Sequence, residues 1–456
     1  MAQRRSPAGE EGISPGAPDG RNTATAEKTL EAAALPAISA AEIVGALSEG
    51  LDLAEGREAG HAKRVCYIAM SVAQTLALKD KDRLPLYYAA LLHDVGVPAA
   101  SAGLSQLIGL NEDGLFSASP KKSPEELAAE CPSVGLETIV GAFHRHCTLG
   151  GEATLFLGLP REAAEAVSNS HEHWDGSGYP EGLAAKDIPL AARIIALADW
   201  TESVISDQSS SLVARRNTVS ELNAVCETVL DPSLVECIAE ICRSDSFWLG
   251  LYSDDLPRSL LRMKPGENGR PRRNPGVLAL TEGMARIIDS KSPYTEGKSL
   301  RVAELAQRLA EAVGLAPGHA LLIRIAALLQ DIGQLGVPAR ILGKPEILTL
   351  TEMQLMQKHP GYSRLILEGL PGFEEAALWA GAHHERPDGK GYPEMLENGL
   401  IPLESKIIAV ANVYVALTSE RPYRRALSQR DALKIMAGAG GTQLDANLVR
   451  VLSSIV

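Results

Sequence analysis

An eleven-residue stretch that could bind a metal ion occurs twice in this chain. Residues 170–180 read Ser-His-Glu-His-Trp-Asp-Gly-Ser-Gly-Tyr-Pro, and residues 383–393 read His-His-Glu-Arg-Pro-Asp-Gly-Lys-Gly-Tyr-Pro. Histidine is the commonest side-chain metal ligand, and glycine lets the backbone approach a bound group closely. The two stretches therefore predict metal sites, provided that other elements supply further ligands.

Further histidines and aspartates stand at the ends of apolar segments in the first half of the chain. A single buried histidine is usually satisfied by one or two hydrogen bonds in the core. Four histidines together with two aspartates instead favour a metal centre, and this ligand set suits iron, manganese, zinc or nickel. The predicted ligands are His61, His93, Asp94, His146, His171 and Asp199.

The chain contains an internal repeat. The apolar helix face of Val65, Ile68, Val72 and Leu76 recurs 237 positions later, at Val302, Leu305, Leu309 and Val313. The same offset relates His61 to Lys298, His93 to Gln330 and Asp94 to Asp331. After the middle of each half the offset is 213, and it relates His146 to His359, His171 to His384 and Asp199 to Asn412. The difference predicts a net insertion of 24 residues between Asp94 and His146, with the composition of an extended loop.

The organisation follows from length, composition and this repeat. A chain of 456 residues rich in alanine and leucine predicts more than one domain and mostly helices. We expect a disordered tail over 1–38 and two tandem all-α domains over 39–265 and 277–456, joined by a Pro- and Gly-rich linker. The apolar runs Ile194–Ala198 and Ile407–Ala411 fit a strand or a buried helix, and their alanine-rich surroundings favour helix.

Bulk properties exclude several classes of function. The net charge of −13 and the pI near 5.4 disfavour direct binding to nucleic acid or to an anionic membrane surface. The six cysteines form no Cys-x-x-Cys pair, which predicts reduced thiols. The sequence shows neither a secretory signal nor an apolar run long enough to span a bilayer, so we expect a cytoplasmic protein.

Taken together, these motifs resemble those of HD-GYP domains, a branch of the HD superfamily of metal-dependent phosphohydrolases. In the first half the resemblance rests on Leu-Leu-His-Asp-Val-Gly over 91–96 and on residues 171–180. In the second half it rests on Gln-Asp-Ile-Gly over 330–333 and on residues 383–393. The resemblance covers nearly everything from about residue 40 onwards. It implies helical domains, a centre of two or three iron or manganese ions, and hydrolysis of cyclic di-GMP.

The second half departs from the family pattern at its metal ligands. Lys298, Gln330 and Asn412 replace two histidines and the closing aspartate, and Gln334 replaces a lysine. We expect this half to have lost its metal chemistry. Four ligand positions of the second half still match the family pattern. These residues either bind one ion weakly or are hydrogen-bonded within the core without a metal. They are Asp331, His359, His383 and His384.

The first half departs in the opposite way. All six predicted ligands match, with His93 and Asp94 implied as catalytic, but Ser170 replaces one further histidine. One or two ions of iron or manganese are therefore expected. The loop after Asp94 is shorter and lacks the family's lysine, and Gln208 and Ser211 stand where the second half has its phosphate-binding arginines. Arg215 and Arg216 lie nearby and could substitute for them.

The residues implied in substrate binding lie in both halves. Arg421 and Arg424 of the second half would pair with phosphate oxygens. Tyr179 and Tyr392 would contact a base or phosphate, although the Asp-Gly-x-Gly-Tyr-Pro turn that carries each tyrosine could equally be a rigid structural element.

Three functional hypotheses follow. The first is a metal phosphohydrolase, a cyclic dinucleotide phosphodiesterase or an enzyme for another phosphate ester, active in the first half and scaffolded or regulated by the second. The second is a non-catalytic signalling adaptor that binds a nucleotide, or a protein partner through its second half. The third is a composite site, in which arginines of the second half reach the metal of the first.

Overall fold

All the regular structure that the computed structural model describes is helical, as the sequence predicts. It describes residues 38–108, 124–130, 135–266, 276–421 and 424–456, and no β-strand occurs in them. The helices of the first half are α1 (Ala40–Glu55), α2 (His61–Thr75), α3 (Asp80–Leu91), α4 (Val97–Ile108), α5 (Pro124–Glu130), α6 (Leu136–Phe156), α7 (Arg161–Ser168), α8 (Leu190–Ser206), α9 (Ser211–Ala224), α10 (Pro232–Ile241), α11 (Asp245–Leu251) and α12 (Leu256–Met263).

The second half repeats this plan. Its helices are α13 (Val277–Asp289), α14 (Lys298–Ala312), α15 (Pro317–Leu329), α16 (Ala339–Leu342), α17 (Leu350–Met356), α18 (His359–Glu368), α19 (Glu374–Gly381), α20 (Leu403–Leu417), α21 (Gln429–Ala439) and α22 (Ala446–Ile455). Short 3₁₀ helices occur at Ala185–Asp187 and Ile332–Gly336. None of the helices in the described residues combines the length and the apolar character that crossing a bilayer requires.

The first helices of each half show how local sequence sets the elements. Ser39 caps α1 through the backbone N–H of Glu42, whose carboxylate bonds back to the Ser39 N–H, and Gly56 ends the helix with φ 68°. In α2 Val65, Ile68 and Val72 are buried, which places that face in the core, whereas Leu76 follows the helix and is 38% exposed. The turn between α1 and α2 brings His61, the first residue of α2, close to the end of α1.

The two ambiguous apolar runs are helices. Ile194–Ala198 lies within α8 and Ile407–Ala411 within α20, and most of their side chains are fully buried. Helices α4 and α5 lie on either side of the segment with the composition of a loop, and the expectation of an extended loop between them stays a prediction. The middle of the insertion, 109–123, lies outside the described residues, as does the predicted tail except for residue 38.

The two halves pack against each other through their first helices. A Cβ on Gly50 of α1 would lie 2.9 Å from Leu335 Cδ1 in the second half. Reciprocally, a Cβ on Gly283 of α13 would lie 2.9 Å from Leu157 Cδ2 in the first half. Buried apolar residues from both halves form one continuous core. The predicted boundaries, 39–265 and 277–456, stay predictions, and residues 267–275 between them lie outside the described residues.

Glycine permits a close approach at the same place in each half. Gly96 follows Asp94 by two residues, and a Cβ there would lie 1.9 Å from the carbonyl oxygen of His146. Gly333 stands in the same relation to Asp331, and its Cβ would lie 2.1 Å from the carbonyl oxygen of His359. In the first half this contact holds the loop after α3 against α6, which carries His146. In the second half it holds the loop after α15 against α18, which begins at His359.

We predict that Gly96→Ala lowers the thermal unfolding midpoint by roughly 4 °C or more, because the added methyl overpacks a contact between two backbones. Differential scanning calorimetry measures this effect. Gly361→Ala is the matched control, since a Cβ at that position of α18 meets nothing within 4 Å. An unfolding midpoint of Gly96→Ala equal to that of wild type would contradict the close approach.

Candidate metal centre

The six predicted ligands converge from five elements of the first half. His61 begins α2, His93 and Asp94 follow α3, and His171 follows α7. His146 lies within α6 and Asp199 within α8. Since each residue sits on a helix or directly beside one, the packing of these helices fixes where its ligand atoms lie.

Three of these residues form a first group, which a fourth adjoins. The ligand atoms of His61, His93 and Asp94 all lie within 4.8 Å of one another. Asp199 Oδ1 lies 3.4 Å from His61 Nε2 and 3.8 Å from His93 Nε2. Burial alone would raise the pKa of Asp94, but the neighbouring imidazoles hold it well below its usual range, so this aspartate is a carboxylate at neutral pH.

A second group shares Asp94 with the first. Asp94 Oδ1 lies 3.7 Å from His146 Nε2 and 4.0 Å from His171 Nε2, and the two imidazole nitrogens are 3.0 Å apart. Burial and the neighbouring His171 lower the pKa of His146 to about 3, and burial also lowers the pKa of His171. Both imidazoles are therefore neutral at pH 7, which is the form that ligates a metal.

The donor set of the first half fits a divalent transition metal. Among the described residues, His61 Nε2, His93 Nε2 and Asp199 Oδ1 are buried and make no hydrogen bond of good geometry, although His93 Nε2 lies 2.8 Å from Asp94 Oδ2 and His61 Nε2 lies 3.4 Å from Asp199 Oδ1. Such atoms are costly unless something else satisfies them. A cation bound beside the ionised Asp94 would satisfy these three atoms.

Glu202 is a member of this centre that the sequence did not single out. It lies one turn after Asp199 in α8, and its Oε2 is 2.5 Å from His61 Nδ1. Its other oxygen accepts hydrogen bonds from Arg64 Nε at 2.7 Å and Ser206 Oγ at 2.7 Å. By holding Nδ1, the carboxylate fixes the His61 ring so that Nε2 faces Asp199.

Two further residues at the end of α1 were also missed. Glu55 is buried, and its pKa is raised well above its usual range by burial and by the nearby charge of Asp94. The Arg57 guanidinium donates to Ser203 Oγ at 3.1 Å and lies 3.5 Å from a Glu55 carboxylate oxygen. Glu55 is the last residue of α1 and Arg57 lies in the turn that follows, four residues before His61. Charged residues at such positions are ordinarily exposed, so nothing in their types or spacing indicated a place in the centre.

Ser170 and Tyr179 do not contribute ligands in this arrangement. The Ser170 hydroxyl donates to the Val167 carbonyl at 2.9 Å, within its own helix end. The Tyr179 ring stacks on His171, with 5.4 Å between ring centroids and 13° between planes. Its turn is held by the Glu172 carboxylate, which accepts three backbone N–H groups over residues 181–183. Substrate contact by Tyr179 stays a prediction.

In the second half a lysine ammonium occupies the equivalent position. Lys298 Nζ, which replaces the imidazole of His61, donates to Asp331 Oδ2 at 2.6 Å, and both side chains are buried. Gln334 donates to the other oxygen of Asp331 at 2.6 Å. Burial would raise the pKa of Asp331, but Lys298 and the imidazole of His359 hold it well below its usual range. The carboxylate therefore already has a cation, supplied by the chain.

The surviving histidines of the second half remain together. The ligand atoms of His359, His383 and His384 lie within 4.8 Å of one another. Two of these rings are oriented by backbone carbonyls, since His359 Nδ1 bonds to Met356 and His383 Nδ1 to Ala380. The ring of Tyr392 stacks on His384 at 4.8 Å, as Tyr179 does on His171.

The predicted phosphate-binding arginines have other contacts. Arg424 donates to the carbonyls of Ala416 and Leu417 at the end of α20, at 2.6 and 2.9 Å. Arg421 pairs with Arg424 through the backbone. In the first half, Arg215 forms an ion pair with Asp245 at 2.5 Å, away from the metal ligands. Substrate binding by Arg421, Arg424 and Tyr392 stays a prediction.

Comparison with known proteins agrees with this geometry. Residues 140–233 and 282–448, more than half of the chain, match the model of the HD domain family. The chain belongs to the HD domain family. The resemblance to tandem HD-GYP domains and the all-α fold are thereby confirmed.

Several relatives of this HD domain protein have named activities. It is 29% identical to the 3'3'-cGAMP-specific phosphodiesterase 3 of Vibrio cholerae, over 89% of this chain and 92% of that protein. It is 37% identical to the cyclic di-GMP phosphodiesterase response regulator RpfG of Xanthomonas campestris, over 37% of this chain and 45% of that one. A crystal structure of the cyclic GMP-AMP specific phosphodiesterase V-cGAP3 matches with a TM-score of 0.63 and 28% identity, covering 91% of this chain and 96% of that one.

We predict that Glu202→Gln weakens Mn²⁺ binding by roughly 10- to 100-fold, because the His61 ring loses the carboxylate that orients it. Isothermal titration of the metal-free protein with Mn²⁺ measures this affinity. Glu162→Gln, an exposed carboxylate in α7, is the control and should bind as wild type does. Equal affinity in Glu202→Gln and wild type would show that Glu202 has no role in the centre.

We also predict that Lys298→Met lowers the free energy of unfolding by about 3 kcal/mol at neutral pH, because it leaves the Asp331 carboxylate buried without its cation. Chemical denaturation checks this value. The double variant Lys298→Met/Asp331→Asn should recover much of the loss, since no charge then needs a partner. A single variant as stable as wild type would mean that Lys298 does not neutralise Asp331.

Proposed function

We propose that this protein is a metal-dependent phosphodiesterase that hydrolyses a 3'3'-cyclic dinucleotide in its first half, while its second half carries out no catalysis. The observation that carries the proposal is the pair of ligand groups that share Asp94, together with buried ligand atoms that a cation would satisfy. The named activities of the relatives supply the substrate class.

The substrate proposal favours 3'3'-cGAMP over cyclic di-GMP. Two relatives named for 3'3'-cGAMP match this chain over 89% and 86% of its length, and a third matches it over 38%. Relatives named for cyclic di-GMP match it over 37% and 36%. The two matches that extend over most of the chain therefore support 3'3'-cGAMP.

Two ions fit the donor set, and we propose iron or manganese. His61, His93, Asp94 and Asp199 would hold one, and Asp94, His146 and His171 the other. Bound there, a divalent metal lowers the pKa of a coordinated water and neutralises phosphoryl oxygens. Mixed imidazole and carboxylate ligands suit these metals.

The chain's own residues prepare this site by fixing the orientation of the imidazoles. His93 Nδ1 donates to the Ala90 carbonyl at 3.0 Å, which directs Nε2 towards Asp94 Oδ2, 2.8 Å away. Glu202 holds Nδ1 of His61 and so directs its Nε2 towards Asp199. Burial excludes water from most of the ligand set, which strengthens every charge interaction with a bound phosphate.

The second half would act as a scaffold for the first. Its Lys298–Asp331 pair gives it a metal-independent core, and its 3₁₀ helix packs on α1, which leads directly to Glu55 and Arg57. Because Arg424, seven residues after α20, donates to the carbonyls at the end of that helix, we do not include it in a composite site.

A non-catalytic adaptor is the second candidate function. The observation in its favour is Lys298, whose ammonium fills the ligand region of one half. Binding of a cyclic dinucleotide without turnover, in protein loaded with Mn²⁺ or Fe²⁺, would support the adaptor over the enzyme.

We predict that His93→Ala lowers hydrolysis of 3'3'-cGAMP by at least about 100-fold and reduces the bound metal, because His93 ligates the first ion. Gln330→Ala, the equivalent change in the second half, is the matched control and should retain activity and metal content. Chromatography of the linear product and elemental analysis measure the two quantities. Loss of activity in Gln330→Ala together with full activity in His93→Ala would place catalysis in the second half and contradict the proposal.

A further inference from the structure

Arg57 places a positive charge beside the predicted metal ligands. It lies in the turn between α1 and α2, four residues before His61, and its side chain is 13% exposed. Its guanidinium donates to Ser203 Oγ, one turn after Asp199 in α8. It acts electrostatically on Asp199, Asp94 and Glu202. It therefore borders the centre while still reaching the surface.

The internal repeat separates residues that maintain the fold from residues that belong to the centre. Asp52 accepts backbone N–H groups at the start of α2, and its equivalent Asp289 does the same at the start of α14. Glu172 and its equivalent Glu385 both hold the following turn. These fold residues are identical in the two halves.

Arg57 and the residues around it, in contrast, differ between the two halves. The offsets of 237 and 213 relate Arg57 to Tyr294, Glu55 to Ser292, Ser203 to Ala416 and Glu202 to Val415. Where Lys298 replaces the first ligand, the arginine and both groups that contact it are absent as well. Arg57 and its supports thus accompany the complete ligand set, as expected of a functional group and not of a fold residue.

Other cationic positions of the first half are placed differently. Arg64 donates to Glu202 and so supports His61. Arg215 forms an ion pair with Asp245 of α11. The positions equivalent to Arg421 and Arg424 are Gln208 and Ser211, which carry no charge. Arg57 contacts Glu55 and Ser203, and Ser203 follows Asp199 by four residues, so its positive charge is held beside the predicted ligands.

We propose that Arg57 binds a non-bridging oxygen of the phosphodiester that is cleaved, with Ser203 and Glu55 orienting its guanidinium. This inference rests on the proposed function for the identity of the substrate. A guanidinium pairs with phosphate through two parallel, charge-assisted hydrogen bonds, which a lysine ammonium reproduces only as a point charge. Arg57 thereby supplies in the first half the phosphate contact expected of Arg421 and Arg424 in the second.

The test uses the full chain loaded with Mn²⁺ and compares wild type, Arg57→Gln and Arg57→Lys, with Arg215→Gln as the control. Isothermal titration with inorganic phosphate measures anion binding without turnover, and elemental analysis measures bound manganese. We expect Arg57→Gln to bind phosphate about tenfold or more weakly with unchanged manganese, and Arg57→Lys to lie between it and wild type. Added guanidinium chloride should restore part of the 3'3'-cGAMP hydrolysis lost in Arg57→Gln.

Four results would overturn the proposal. These are phosphate binding by Arg57→Gln equal to that of wild type, a loss of phosphate binding that only follows a loss of manganese, no phosphate binding by wild type, and normal dinucleotide hydrolysis by Arg57→Gln. The two proposals fail separately. Weaker phosphate binding in Arg57→Gln, without dinucleotide hydrolysis by wild type, would uphold the role of Arg57 and reject the proposed function. Normal dinucleotide hydrolysis by both wild type and Arg57→Gln would uphold the proposed function and reject the role of Arg57.

Discussion

An aspartate carboxylate at the same place in each half requires a positive charge, and the rest of the structure depends on how that charge is supplied. Asp94 and Asp331 each follow a buried apolar helix and face imidazoles from neighbouring elements, and their side chains are 13% and 2% exposed. A buried charge without a partner is strongly destabilising. In the second half the Lys298 ammonium meets this requirement, whereas in the first half the imidazoles of His93, His146 and His171 surround Asp94. The same helical scaffold therefore carries a candidate metal centre in one half and an ion pair in the other.

This difference extends beyond the ligands. His61 needs an orienting carboxylate, and Glu202 provides it, while Val415 stands at the equivalent position beside Lys298. A lysine ammonium needs no tautomer to be fixed, so an apolar neighbour suffices. The halves share the backbone approaches at Gly96 and Gly333, which keep the scaffold alike. What has diverged is the set of polar side chains that a metal would use.

Much of this was predictable from the sequence, because periodicity and repeats report helices and buried faces directly. The helical fold, the convergence of His61, His93, Asp94, His146, His171 and Asp199, and the altered second half all followed from residue types and spacing. Glu202, Glu55 and Arg57 did not, because a charged residue in a helix or turn usually faces solvent and only packing shows otherwise. The hydrogen bonds from Arg424 to the end of the preceding helix, α20, were likewise not predictable from the motif that carries it.

Anomalous X-ray diffraction from crystals of the full chain grown with Mn²⁺ tests the central claim most directly, because it locates each ion without reference to activity. The account predicts anomalous peaks on both sides of Asp94, within bonding distance of the histidines of the first half, and no peak between Lys298 and Asp331. The absence of any peak beside Asp94, or a strong peak bonded to Asp331, would contradict it.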